Sequence, residues 1–363
     1  MTENDYKYWI SFTKISNIGS VRLTKIMKGF KSGYRAWEAQ ASDFISVGIE
    51  RAAVESILLE RKDIEPDKEL EIISREKVSI LTIFDDQYPK LLKEIPNPPP
   101  VLYYRGTLKN YDLTLGIVGT RKVSSYGRMV ARDLSYNCAK AGLTIVSGLA
   151  LGIDAISHAS TLEAGGTTIA VLGGGLDEDN VYPVSNRALG EKIVEAGGAL
   201  VSEYPCGTKS LKAHFPHRNR IISGLSLGVL VIEAPEHSGS LITAKFALEQ
   251  NREIFAVPQN IYNENAKGAN ALIKMGAKPV SCADDIMEGL GVETAANYKK
   301  TTEKIEFSKD EETMLLLLSR EPLHIDSIIR CGKISAGKTN SLLSLLEIKG
   351  VIKNLGGGMY CKI

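Results

Sequence analysis

Short apolar runs and longer amphipathic stretches alternate along the chain in three blocks, each with its own period. Up to about residue 75 the apolar positions recur at helical spacing. In "ISNIGSVRLTKIMKGF", Ile15, Ile18, Val21, Leu23, Ile26 and Met27 mark one face, with Gly19 at a turn. This block, residues 1–75, predicts a small helical domain similar to a SAM-type bundle or to half of a DNA-binding helical hairpin. Residues 76–291 follow a different rule. The runs "LGIVGT", "LTIVSG", "TTIAVLGGG", "GALVSEY", "LGVLVIEA" and "EIFAVP" are nearly continuous in β-branched and apolar residues, and they end in glycine or small polar residues. Helix-length stretches such as "SYGRMVARDLSYNCAKAG" and "SLITAKFALEQN" separate them. Uninterrupted apolar strands alternating with amphipathic helices predict a parallel sheet covered on both faces. The fold class is therefore α/β, an extended Rossmann-like doubly wound sheet. A proline-rich turn in "YPKLLKEIPNPPPVLYYRGTL" leads one further strand into the same domain.

Residues 292–304 are polar and aperiodic and are expected to form a linker. In residues 305–363, "EETMLLLLSR", "HIDSIIR" and "GKTNSLLSLLEIKG" predict three helices, and "VIKNLGGGMYCKI" predicts a glycine-turned hairpin. Three helices and a hairpin make a winged-helix domain. This tail also contains "CGKISAGKTN", which has P-loop spacing. A working P-loop needs a preceding strand and a parallel neighbour. Only 24 residues follow Thr339, so no parallel sheet can be built around it. An ATPase is rejected on that ground.

Composition adds little until it is read locally. The 44 basic residues nearly balance the 43 acidic ones, so any polyanion must meet locally concentrated charge. The five cysteines are scattered without a Cys-x-x-Cys pair, and the N-terminus lacks the pattern of a signal peptide. No run is long enough to span a membrane. A reducing cytoplasm, with no disulfide framework, no zinc and no membrane partner, is the expectation.

Two windows exclude acidic residues. Leu113 to Arg132 contains Arg121, Lys122, Arg128 and Arg132; Tyr204 to Ile232 contains Lys209, Lys212, Arg218 and Arg220, with His214 and His217. Both follow predicted strands and so bring positive charge to one rim of the sheet, where ligands of such sheets bind. In "GTRKVSSYG", Gly119 allows close approach, Thr120 offers a hydroxyl, and Arg121, followed by Lys122, is the phosphate clamp before a helix N-terminus. Ser147 and Gly148 reach the rim in "SGLALGID". In "LKAHFPHRNRIISGLS", Lys212, Arg218, Asn219 and Arg220 surround Phe215, combining cations with a ring on which a base can stack. Phe215-Pro216 is expected to break the chain. Ser238, Gly239 and Ser240 precede a helix and form a second hydroxyl-rich anion site, or simply a helix cap.

Reactive chemistry is missing from the pattern. Asp154, Ser157 and His158 share one helical turn and cannot form a hydrolytic triad. His214 and His217 are separated by Pro216 and lack a third metal ligand. The "LGGGL" loop departs from the dinucleotide fingerprint, with Glu178 where the last glycine belongs. The expectation is a binding protein, with no catalytic residue, metal or cofactor.

The segments "GIVGTRKVSSYG", "IVSGLALGIDAISH", "TTIAVLGGGLD", "VYPVSN", "SEYPCGT", "HFPHRNRIISGLS", "VIEAPEHSGSLITAKFALEQNREIFAVP" and "GANALIKMGA" resemble, in order, the motifs of the DNA-processing protein A (DprA/Smf) family. The resemblance covers about residues 80–290, and the flanking blocks are similar to that family's helical and winged-helix modules. It implies a non-catalytic single-stranded DNA-binding protein of natural transformation that dimerises, protects incoming strands and helps load the RecA recombinase. The implied phosphate pocket falls on Gly119, Thr120, Arg121, Ser147, Gly148, Lys212, Arg218 and Asn219, and dimerisation on the helices near Gly268 to Gly276. Two positions depart from the pattern: Leu151 stands where arginine is usual, and Gln259 where glycine is. An alternative is a nucleotide phosphoribohydrolase of the related lysine-decarboxylase-like group, but "HSGSLIT" stands where its "PGGxGT" loop would fall. A winged-helix repressor with an α/β effector domain is a third reading. In the winged-helix block, Lys333, Lys338, Lys349 and Lys353 are available to DNA phosphates, while a protein-contact role for that block stays open.

Overall fold

The computed structural model describes residues 3–292, 307–319, 321–332 and 334–362. The chain divides into two compact units, Met1–Ala295 and Ala296–Ile363. The expected linker at 292–304 lies, apart from residue 292, outside the described residues.

The first unit is built on one nine-stranded sheet. Its strands are β1 (Ser79–Thr82), β2 (Val101–Gly106), β3 (Thr114–Val118), β4 (Thr144–Ser147), β5 (Thr168–Val171), β6 (Ala199–Ser202), β7 (Gly228–Val231), β8 (Glu253–Ala256) and β9 (Lys278–Pro279). The spatial order is β1-β2-β6-β5-β4-β3-β7-β8-β9. From β6 to β9 every pairing is parallel, and β2 and β1 extend the β6 edge antiparallel. Strands β3 to β7 are buried along their whole lengths, as their apolar runs require when helices cover both faces. The chain runs outward from β3 to β6, then returns to place β7 on the other side of β3. The sheet therefore reverses its order between β3 and β7, and the crevice beyond their carboxyl ends is the expected ligand position.

Six helices precede the sheet: α1 (Glu3–Lys14), α2 (Ser20–Phe30), α3 (Gly33–Glu38), α4 (Ala41–Ser46), α5 (Arg51–Glu60) and α6 (Pro66–Arg75). Trp9, Phe12, Ile26, Phe44 and Ile57 belong to the same buried cluster as Val101, Tyr103 and Leu200 of the sheet. Thr13 and Tyr103 also share a 2.7 Å hydrogen bond between their hydroxyls. The boundary expected between residues 75 and 76 thus falls inside a shared core. Val21, placed on the apolar face by spacing, is 54% exposed, because α2 buries Leu23, Ile26 and Met27 on its other side.

The later helices that matter here are α7 (Lys90–Lys93), α8 (Ser125–Lys140), α9 (Ile153–Glu163), α10 (Arg187–Glu195), α11 (His214–Gly224), α12 (Gly239–Glu249), α13 (Lys267–Lys274) and α14 (Ala283–Gly289). Pro216 does not break the chain, as the sequence had suggested; it is the third residue of α11. A first-turn proline removes only an N–H that has no partner within the helix.

The second unit contains α15 (Lys309–Leu317), α16 (Ile325–Gly332) and α17 (Ala336–Ile348), with β10 (Leu323–His324), β11 (Ile352–Gly356) and β12 (Met359–Lys362). The antiparallel sheet runs β10-β12-β11, one strand more than the hairpin expected. This is a winged-helix domain. The P-loop-like residues Gly337, Lys338 and Thr339 lie in the first turns of α17, and no parallel strand pair exists among the described residues of this unit.

Candidate nucleic-acid interface

Loops after five strands and the two helices α11 and α12 close around one cleft of about 500 Å³. The loop after β3 contributes Gly119, Thr120, Arg121 and Lys122; the loop after β4 contributes Ala150, and the first turn of α9 contributes Asp154. Tyr182 comes from the loop after β5; Lys212, Phe215, Arg218 and Asn219 surround α11; Ser238, Gly239, Ser240 and Thr243 open α12. The cleft lies at the sheet's order reversal, lined by the loop after β3 and by the residues that open α12 after β7.

Phe215 is its organising side chain. The Arg121 guanidinium lies 5.5 Å from its ring centroid, and that of Arg218 6.0 Å. The two acid-free windows therefore converge on one ring. Behind it, the backbone of Gly173 is close enough that a Cβ there would meet Phe215 at 3.2 Å, and His214 Nδ1 pairs with the Gly173 carbonyl at 3.0 Å. The Tyr182 ring, about half exposed, is centred 5.7 Å from Phe215. Cations over aromatic faces are attracted by the ring quadrupole, so this cluster holds its charges in position before any polyanion arrives.

Depth separates the cations. Arg121, Lys122 and Lys212 are exposed at the mouth. Arg218 is buried and donates from Nη1 to the Gly148 carbonyl at 2.8 Å. Burial brings its pKa down to about 10, with Arg121 pushing the same way and Asp154 opposing, so it stays charged at neutral pH. Asp154 accepts from the Gly148 amide at 3.1 Å, and burial pushes its carboxyl upward against the pull of Arg218.

Three expected residues do not reach this cleft. Arg220 is buried and pairs with Glu203 at 2.5 Å. A phosphate clamp must be reachable, whereas this guanidinium is committed to an internal carboxylate. Ser147 is fully buried and donates to the Ile117 carbonyl at 2.6 Å, closing β4 onto β3. Gly148 lines only a small annex, with Arg121, Leu151, Tyr182, Pro183 and Phe215. Leu151, 47% exposed, makes that annex apolar. Gln259 is structural: its side chain donates to the Ile232 carbonyl, and its backbone exchanges hydrogen bonds with the Asn270 side chain.

The helix N-terminus behind Arg121 is also not a phosphate seat. The buried Glu233 carboxylate already fills it, accepting from the Ser124 amide at 3.0 Å and from the Ser124 hydroxyl at 2.5 Å. The Glu233 carbonyl takes the Thr120 amide at 2.7 Å. One residue thus braces both ends of the Arg121 loop. The N-terminus of α12 differs. Ser238 caps it, and its first turn holds no acidic residue.

The remaining candidates find packing roles. His158 is fully buried, bonds Thr168 at 2.7 Å and has its pKa lowered by burial to about 3, so it is a neutral core residue. His217 faces Glu203 at 3.0 Å. Among the described residues no cluster of three metal-ligating side chains occurs. No helix there is long and apolar enough to cross a membrane. Arg132 pairs with Glu163 at 2.7 Å, on α8 and α9. In the winged-helix unit, Lys338 pairs with Asp310 at 2.7 Å and Lys349 with Glu311 at 2.8 Å; Lys333 lies outside the described residues. Tyr182, Asp154 and Thr243 were missed as cleft residues by sequence reading. For Tyr182 a signal existed, an aromatic next to proline in "VYPVSN".

Comparison with known proteins follows the same outline. A family model described as DNA recombination-mediator protein A matches residues 79–291, and one described as the DprA winged helix domain matches residues 299–358. A Smf protein of Synechocystis is 35% identical over 398 aligned positions, covering 99% of each chain. The DNA processing protein DprA of Bacillus subtilis is 46% identical over 215 residues, covering 59% of this chain and 71% of the relative. The crystal structure of DprA from Streptococcus pneumoniae has 34% identity and a TM-score of 0.67, covering 78% of this chain and 97% of that one. A Helicobacter pylori DNA processing protein A structure, concerned with its single-stranded DNA binding mode, has 31% identity and a TM-score of 0.53, covering 60% and 97%.

Proposed function

Because the chain belongs to the DNA recombination-mediator protein A family, we propose that its cleft grips single-stranded DNA and that the protein acts as a recombination mediator in natural transformation. Incoming strands are protected and handed to the RecA recombinase, without a chemical step catalysed by this chain. The observation that carries the reading is the convergence of Arg121 and Arg218 on Phe215, 5.5 and 6.0 Å from its ring, inside one cleft. Exposed cations meet phosphates, and the rings of Phe215 and Tyr182 offer faces to unstacked bases, a sequence-tolerant combination suited to single strands.

The working form is a homodimer in the cytoplasm. The loop before α13 and the end of that helix support this, with Ile261, Tyr262 and Met275 at 75%, 90% and 75% exposure. Large apolar side chains gathered in one exposed region mark a protein contact when they form a continuous patch.

Titration of a fluorescent oligothymidylate, and of a duplex of equal length, tests the binding claim. Wild type is expected to prefer the single strand, and Arg121→Ala to weaken it roughly tenfold or more, the value of one charge-assisted contact. Tight binding to a single duplex sequence, with Arg121→Ala unchanged, overturns the proposal.

A further inference from the structure

Of the helix N-termini near the cleft, those of α8 and α12 differ in whether an internal carboxylate fills them. Glu233 occupies that of α8. At α12 the first turn carries no acid, and three hydroxyls, those of Ser238, Ser240 and Thr243, surround it along the cleft wall. Ser238 Oγ and Ser240 Oγ share one hydrogen bond at 2.7 Å, and Ser238 Oγ also accepts from the Ser240 amide at 3.3 Å. Since each hydroxyl has one proton, one of the pair keeps an O–H to donate.

Two further buried groups among the residues that line the cleft lack partners. Thr243 is 1% exposed and Arg218 3% exposed; Thr243 Oγ1 and Arg218 Nε have no hydrogen-bond partner among the described residues. An unpaired buried donor is costly, and an oxygen acceptor brought in by a ligand would relieve that cost here. Asn219 is fixed beside them by its bond to the Gly239 carbonyl at 3.2 Å.

We infer that this inner end of the cleft is a seat for the phosphate monoester of a single nucleotide, separate from the Arg121, Lys122 and Lys212 mouth that follows a strand's internal phosphates. The helix terminus and hydroxyls match the many acceptor oxygens and double charge of a monoester. About 500 Å³ is also within the range of pockets that enclose one small ligand. With the phosphate seated at α12, the base lies against Phe215 and Tyr182. The nucleotide is either free or the 5′-phosphorylated end of a strand, and the chemistry is the same for both. The inference rests on the proposed DNA-binding reading of this cleft.

The test compares 5′-phosphorylated and 5′-hydroxyl oligothymidylates in wild type, Thr243→Val and Thr243→Ser, with thymidine 5′-monophosphate and thymidine as competitors. The expected result is severalfold tighter binding of the phosphorylated strand by wild type, abolished in Thr243→Val and restored in Thr243→Ser. Competition by the monophosphate alone assigns the seat to free nucleotides as well; a preference for the phosphorylated strand without such competition assigns it to strand ends. Equal binding of both strands by wild type, with no competition by the monophosphate, overturns the seat. It leaves the broader reading intact, because that reading is tested separately, by the response of single-stranded DNA binding to Arg121→Ala and to salt.

Discussion

Arg218 and Arg220 stand two positions apart on α11 and finish in different roles. Arg218 turns to the cleft and the Gly148 carbonyl, whereas Arg220 turns to Glu203. Arg220→Ala takes the guanidinium from the Glu203 carboxylate and leaves His217 beside it, so it is expected to cost about 3 kcal/mol of stability, the low end for a broken buried pair. Urea denaturation checks this; unchanged stability with lost DNA affinity would restore Arg220 to the binding site. His158 makes a second residue-scale prediction. Its folded pKa of about 3 lies below the ~6.5 of an unfolded chain, so the unfolded state takes up the proton first. The stability it allows is complete above pH ~6.5 and is lost as pH falls toward 3, roughly 3 kcal/mol of it by pH 4. His158→Gln should therefore lose less stability than wild type between pH 7.5 and pH 4. At this scale the sequence was a fair guide to which residue types gather and a poor guide to direction. Arg121, Lys212 and Phe215 were legible from the acid-free windows, but nothing in "HRNR" says which arginine finds an internal carboxylate, because Glu203 lies outside that window at the end of β6.

Strands β3 to β7 were legible because burial on both faces leaves runs that are apolar at nearly every position, and β8 because "EIFAVP" continues that series. Edges β1 and β9 were not, since short strands with exposed positions lack that signature. Pro216 misled for a related reason, because proline reads as a breaker unless its place in the first turn is known. The anion preference of each helix terminus also escaped the sequence, as it depends on Glu233 arriving from β7 at the start of α8. That contact explains Gly127, where a Cβ would run into the Glu233 carboxylate. Glu233→Ala leaves the Ser124 amide and hydroxyl without their acceptor and should cost about 1–3 kcal/mol. It should also weaken single-stranded DNA binding by loosening the Arg121 loop. Because no cation is removed, the salt dependence of binding should persist, in contrast to Arg121→Ala. Calorimetry paired with titration distinguishes the two.

For the molecule as a whole, the sheet order decides the function. Returning the chain across β3 to form β7 brings residues more than a hundred positions apart, Arg121 and Ser238, into one crevice. Periodicity announced an α/β sheet, yet only the spatial order shows that both acid-free windows open at the same reversal. The exposed apolar surface around α13 carries the assembly prediction. Ile261→Asp with Met275→Asp should convert a dimer to a monomer by light scattering, and a mass unchanged from wild type would remove this surface from the account.

The salt dependence of single-stranded DNA binding tests the cleft most directly. Measured as log affinity against log salt, wild type should show a slope near −0.7 per neutralised phosphate, and Arg121→Ala/Lys122→Ala/Lys212→Ala should flatten it by the equivalent of two to three phosphates, about 1.4–2.1 in slope. An unaltered slope in the triple variant would mean that the strand's backbone is held elsewhere, and that the convergence on Phe215 does not bind DNA.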